Sequence, residues 1–159
     1  MKILLVCTGN VCRSPMAEAL ARRLLAERGR ADIEVASAGT AAYAGAPASE
    51  GAYLVALEHG LDLSAHQARQ LTDDLVADAD VIFGMSAHHV DRANALAGDA
   101  RAHLLGAFAG RTGDDTQVDD PYGGDLEEYR RTHDQLEALI SDAIERLLRE
   151  SGADVDPRD

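Results

Sequence analysis

Short apolar runs alternate with stretches of helical periodicity along this chain, and that alternation restricts the possible folds more than any other feature. Residues 3–7 (Ile-Leu-Leu-Val-Cys) read as a buried strand. Ala17, Leu20, Ala21, Leu24 and Leu25 then fall on one helical face, with Arg22, Arg23 and Glu27 on the other. Residues 33–38 make a second strand, and a loop rich in Gly, Ala and Pro runs on to Pro47. A helix over about 48–59 is closed by Gly60 in the usual C-terminal position. Thr72 caps a short acidic helix, 81–85 is a third strand, and Ser86 caps a helix reaching about Ala97. Residues 102–105 form a short fourth strand, followed by a polar loop over 110–125. The last helix, about 126–150, carries Leu136, Ile140, Ala143 and Leu147 on one stripe, and the polar tail from Ser151 is expected to fray.

Strands alternating with helices imply a parallel sheet covered on both faces. The expectation is a three-layer α/β domain with four parallel strands over residues 1–150, then a tail over 151–159. A length of 159 residues suits one such domain, and no repeat or linker interrupts it.

In sheets of this kind ligands bind beyond the carboxyl ends of the strands. After the first strand, residues 7–15 read Cys-Thr-Gly-Asn-Val-Cys-Arg-Ser-Pro. Gly9 permits a tight turn, and Ser14 with Pro15 reads as a helix cap followed by a first-turn proline. Backbone N–H groups in such a loop converge on one point, and the helix dipole adds positive potential, which makes an anion cradle. Arg13 can close it with a planar fork that grips two phosphate oxygens. Cys7 sits at its base, where a helix N-terminus and a guanidinium both favour the thiolate. A thiolate facing a bound oxyanion is a nucleophile set for in-line attack on phosphorus, and this chemistry calls for no metal and no cofactor. A lone strand-end Cys is usually just buried. The Cys-x5-Arg-Ser spacing between a strand and a helix moves the reading to phosphate chemistry.

The segment from Cys7 through Pro15, continuing Met-Ala-Glu, resembles the phosphate loop of the low-molecular-weight protein tyrosine phosphatase family. The likeness extends along almost the whole chain, through Ser37-Ala-Gly-Thr, His66-Gln-Ala-Arg-Gln-Leu-Thr and Asp120-Pro-Tyr-Gly-Gly. It implies a protein phosphatase working through a phosphocysteine on Cys7, with Arg13 and the loop residues Thr8, Gly9, Asn10, Val11, Cys12 and Ser14 around the phosphate. It also implies that Asp120, directly before Pro121, is the general acid that a poor leaving group needs. By the same resemblance Asn10 and Ser14 shape the loop and hydrogen-bond the thiolate, His66 helps order it, and Tyr122 and Tyr43 form aromatic walls.

Tyrosine phosphatases of this family usually carry Ile or a similar residue between the loop Asn and the second Cys. The related arginine phosphatases carry Thr there. Val11 lacks the hydroxyl that could hydrogen-bond a guanidinium, which favours phosphotyrosine. The acidic pair Asp119-Asp120 would suit a cation and keeps phosphoarginine as the alternative. Thiol-coupled arsenate reductases share the loop, but the self-contained kind needs cysteines after Cys12, and the chain has none. An external-thiol reductase and a non-catalytic phosphoprotein-binding module complete the alternatives. Cys12 is either a small buried residue or the partner in a reversible Cys7–Cys12 disulfide that shields the nucleophile.

A net charge of −13, from 28 acidic and 15 basic residues, argues against nucleic acid and anionic membrane as partners. No apolar run approaches the roughly 20 residues of a membrane span. The start of the chain reads as a strand and not as a signal peptide. Two cysteines cannot staple a fold of this size. The expectation is therefore a cytoplasmic monomer that acts on a phosphorylated protein and releases inorganic phosphate. The six histidines show no metal-ligand spacing such as HExxH, so no metal is expected, and Lys2 as the only lysine excludes a Gly-Lys nucleotide loop.

Overall fold

The computed structural model describes residues 1–152, so positions 153–159 of the expected tail lie outside the described residues. Four strands, β1 (Lys2–Cys7), β2 (Glu34–Gly39), β3 (Val81–Gly84) and β4 (Ala102–Leu104), form one sheet in the order β2-β1-β3-β4. Every pairing is parallel, with Leu5 opposite Ser37 on one side and Phe83 on the other. Six helices surround them: α1 (Arg13–Glu27), α2 (Glu50–Glu58), α3 (Asp73–Asp78), α4 (Ala87–Ala97), α5 (Leu105–Phe108) and α6 (Leu126–Glu150).

Side-chain alternation along each strand divides the core into two layers. Ile3, Leu5, Val35 and Phe83 pack under α1, α2, α5 and α6. Leu4, Val6, Ala38 and Ile82 face the opposite way, toward Val76 of α3 and Ala93 of α4. Helices on both faces explain why these strands are apolar throughout. The chain leaves β1 toward β2 and returns across the sheet to β3, so the loops after β1 and β3 diverge. A crevice opens between them at this switch point.

The expected elements are present, with shifted ends. The second strand runs one residue later than its apolar pattern, and the second helix starts at Glu50, so Ser49, inside the expected 48–59 helix, is instead its cap and accepts from the Ala52 amide. Leu136, Ile140 and Ala143 are buried on α6, while Leu147 is only partly buried and Leu148 takes the core position. Two short pieces, α5 and a 3-10 turn over Gly113–Thr116, fall where strand end and loop were expected. Among the described residues no helix is long and apolar enough to cross a membrane.

Candidate active site

The loop from β1 to α1 has an inner side and an outer side with opposite chemistry. Its carbonyls are tied to the fold: Cys7 O and Thr8 O accept from the amides of Thr40 and Ala41, and Val11 O accepts from Ser49. The His66 ring donates from Nε2 to Asn10 O at 2.6 Å. The amide N–H groups of Thr8 to Cys12, by contrast, donate to no group among the described residues. The loop thus ties these four carbonyls to the fold and leaves five amides unpaired, as an anion site requires.

Asn10 carries the left-handed backbone conformation in this loop, at φ 56°. Gly9, the residue expected to need that freedom, does not adopt it. Asn tolerates the strained region because its short amide finds local partners. Here Nδ2 donates to Ser14 Oγ at 2.8 Å and to Ser37 Oγ at 2.9 Å, while Oδ1 accepts from the Arg69 amide at 3.0 Å. Ser37 and Arg69 belong to the two middle motifs of the chain, and both hold this side chain. Gly39 has a separate steric role: a Cβ there would lie 2.4 Å from Thr8 O and 2.9 Å from Asn10 N.

Ser14 is not a helix cap. The helix starts at Arg13 with Cys12 in the cap position, which makes no side-chain cap bond. The Ser14 hydroxyl is instead 2.9 Å from Cys7 Sγ. Since it accepts from Asn10, its own proton is available to the sulfur, the arrangement that stabilises a thiolate. Asn10 and Ser14 are fully buried behind the loop and do not line the cleft.

Arg13 is 4% exposed, unusual for a guanidinium. Its Nη1 donates to Ser86 Oγ at 3.2 Å and to Val118 O at 3.0 Å, and Nη2 lies 3.7 Å from Asp120 Oδ2. Ser86 stands at the start of α4 after β3, so Arg13 bridges the two diverging loops. The neighbouring His89 is fully buried. Its Nδ1 accepts from the Ser86 amide at 3.0 Å, so Nε2 carries the proton and donates to Thr8 Oγ1 at 2.8 Å. Burial, reinforced by the neighbouring His88 and Arg13, holds its pKa down to about 3. Sequence reasoning missed His89: a His pair on a helix gave no spacing that pointed to the loop.

Cys7, Thr8, Gly9, Val11, Cys12, Arg13, Tyr43, Asp120 and Tyr122 share one cleft of about 360 Å³, together with Ala41 and Ala46, which the sequence did not flag. Tyr43 and Tyr122 are 87% and 71% exposed, so they stand as rims and not as core. Asp120 is anchored through Oδ1, which accepts from the Tyr122 amide at 3.0 Å. Both cysteines are free thiols. Cys12 Sγ donates to Ser49 Oγ at 3.1 Å, Ser49 donates to the Tyr129 hydroxyl at 3.2 Å, and that hydroxyl lies 3.4 Å from Cys12 Sγ. Burial pushes the Cys12 thiol up, and Tyr129 with it to about 12. Cys12 is therefore held as a thiol within a closed triangle of hydrogen bonds.

Residues 2–153 match the model of the low molecular weight phosphotyrosine protein phosphatase family. The chain is 37% identical over 149 residues to a protein-arginine-phosphatase of Geobacillus stearothermophilus, covering 94% of this chain and 97% of the relative. It is 35% identical over 147 residues to the probable low molecular weight protein-tyrosine-phosphatase AmsI of Erwinia amylovora, covering 92% and 97%. The solved structure of the YwlE arginine phosphatase from Geobacillus stearothermophilus superposes with a TM-score of 0.84 at 34% identity, over 98% of this chain and 97% of that one. With a donor-lined loop after the first strand and a family match over nearly its whole length, the chain belongs to the low molecular weight phosphotyrosine protein phosphatases.

Proposed function

We propose that this chain hydrolyses phosphotyrosine in proteins through a phosphocysteine intermediate, within a single unit spanning residues 1–150. One observation carries the reading: Cys7, at the start of a loop of unpaired amides, lines the same cleft as Arg13 and Asp120. The Cys7 thiolate attacks phosphorus as the bond to the phenolic oxygen breaks, and Asp120 delivers its proton to that oxygen. The loop amides and Arg13 share the charge on the equatorial oxygens. Asp120, now a carboxylate, takes a proton from water; the water oxygen bonds to phosphorus, the S–P bond breaks, and inorganic phosphate leaves.

Val11 and the two exposed tyrosine rims favour a flat aryl group over a guanidinium. The second reading, phosphoarginine, is supported by the exposed carboxylate of Asp120 beside Asp119 and by relatives named as arginine phosphatases. We place the activity in the cytoplasm, as a monomer, in keeping with two free thiols and the acidic surface. The deciding experiment is phosphate release from matched phosphotyrosine and phosphoarginine peptides, with Cys7→Ser as the blank. Faster release from phosphotyrosine is the expected result. Faster release from phosphoarginine transfers the chain to the second reading, and turnover in the blank overturns the nucleophile.

A further inference from the structure

The end of α2 remote from the phosphate loop meets α6 at a cluster that the phosphatase chemistry does not use. His59, the C-cap of α2, stacks on His133 with ring centroids 4.0 Å apart and planes 20° from parallel. His133 is fully buried, and neither of its ring nitrogens has a hydrogen-bond partner among the described residues. Glu137 lies one turn further along α6, so its carboxylate shares a face with His133. One donor atom from each of the three comes within 4.8 Å of the others. A buried imidazole with two idle nitrogens is an unexplained cost for a structure held by packing alone. The same ring becomes a ligand once His59 turns out of the stack, because each imidazole binds an ion lying in its own ring plane.

We propose that His59, His133 and Glu137 form a binding site for a borderline transition-metal ion, of which Zn²⁺ is the type, that clips α2 to α6. Two imidazole nitrogens and one carboxylate are the donor set that suits zinc, whereas an all-oxygen set would suit magnesium or calcium. Donor atoms on a tetrahedral zinc stand roughly 3.3 Å apart, given bonds of about 2.0–2.2 Å. The three atoms, up to 4.8 Å apart, therefore need to close by up to about 1.5 Å, through a turn of the partly exposed His59 ring and a swing of the Glu137 side chain. His59 arrives at a fixed height because its carbonyl accepts from Arg23 Nη1. Glu137 has freedom to move: its only ion pair among the described residues is with Arg23 at 3.9 Å, and its side chain is 47% exposed. The fourth coordination position falls to solvent.

None of the three residues lines the phosphate cleft. The helices they join do reach it, since Ser49 at the start of α2 and Tyr129 on α6 hold Cys12. The ion is thus a brace for the frame behind the loop and takes no part in the hydrolysis. Sequence reading expected no metal, because two of the ligands are one turn apart on α6 and the third is 74 residues earlier than the first of them, a spacing that only the fold closes.

The test is Co²⁺ binding to the full chain, read by the visible absorption of tetrahedral Co²⁺, with displacement by Zn²⁺ and the Zn²⁺-induced rise in Tm as second readouts. Cys7→Ser removes the competing thiolate. The expected result is one ion per chain, an absorption band and a Tm rise that persist in Cys7→Ser, and affinity lowered about tenfold or more by His59→Ala and by Glu137→Gln. Both substitutions are at partly exposed positions, so each variant is checked for an unchanged metal-free Tm. Two results would overturn the proposal: no Co²⁺ or Zn²⁺ binding in Cys7→Ser, or binding that His59→Ala and Glu137→Gln leave unchanged.

Discussion

A buried cation earns its place only if every donor is matched, and Arg13 shows how that is done. Nη1 is fixed by Ser86 and Val118, and Nη2 stands beside Asp120, which leaves Nε and the free edge of the fork for an oxyanion. Lys could keep the charge but not the two anchors and the grip together, because an ammonium has neither the planar fork nor the reach. Arg13→Lys is therefore expected to lower kcat by roughly 100-fold or more, with the fold intact, as for loss of a preorganised donor to an oxyanion. Steady-state kinetics on an aryl phosphate, beside a thermal melt, checks this; near-normal kcat would show that the fork is dispensable. The arginine itself was legible from its distance to Cys7. Its anchors were not, since Ser86 and Val118 lie 73 and 105 residues away in sequence.

The phosphate loop, taken as an element, is shaped from outside more than from within. Gly39 on β2 leaves room for Thr8 O and Asn10 N, and the Asn10 amide is pinned by Ser14, Ser37 and Arg69. A methyl at position 39 meets backbone, which cannot yield as a side chain would. Gly39→Ala is expected to cost about 1–3 kcal/mol of stability and to reduce kcat/KM, since the displaced atoms belong to the cradle. Urea unfolding and kinetics measured together test this; unchanged kcat/KM in a destabilised protein would mean that the loop relaxes without losing its shape. Sequence periodicity found the long elements because a period needs several turns to show. It could not find α5, four residues long, and it made Ser14 a cap because Ser is a favoured cap residue and Pro favours the position after it. Here Ser14 is spent on Cys7 and Asn10, a use that depends on residues folded against it. The reading of Gly9 failed for the same reason: the left-handed turn went to the residue with external partners. The cleft residues themselves were nearly all legible, because they belong to one short stretch and one Asp-Pro-Tyr run.

At the scale of the whole molecule, acid should weaken the fold through a histidine that the chemistry never touches. His89 titrates near 6.5 when unfolded and at about 3 when buried. Between those values the unfolded chain holds the extra proton, so the stability His89 confers is complete above pH 6.5 and is lost as pH falls toward 3. One proton of difference corresponds to at most about 1.4 kcal/mol per pH unit. Denaturant unfolding at pH 7.5 and 5 is expected to show a loss that His89→Gln reduces; an identical pH slope in the variant would remove His89 from the account. The acidic surface as a whole also means that an anionic substrate meets an opposing field until it reaches Arg13. What it meets there is a cup of unpaired N–H groups, the four carbonyls named above being bound to the fold. Such a cup gauges outline and charge and is indifferent to the element at the centre. Vanadate, tungstate and sulfate are therefore graded by it as phosphate is, on size and basicity, and chemical identity enters only when the sulfur of Cys7 attacks.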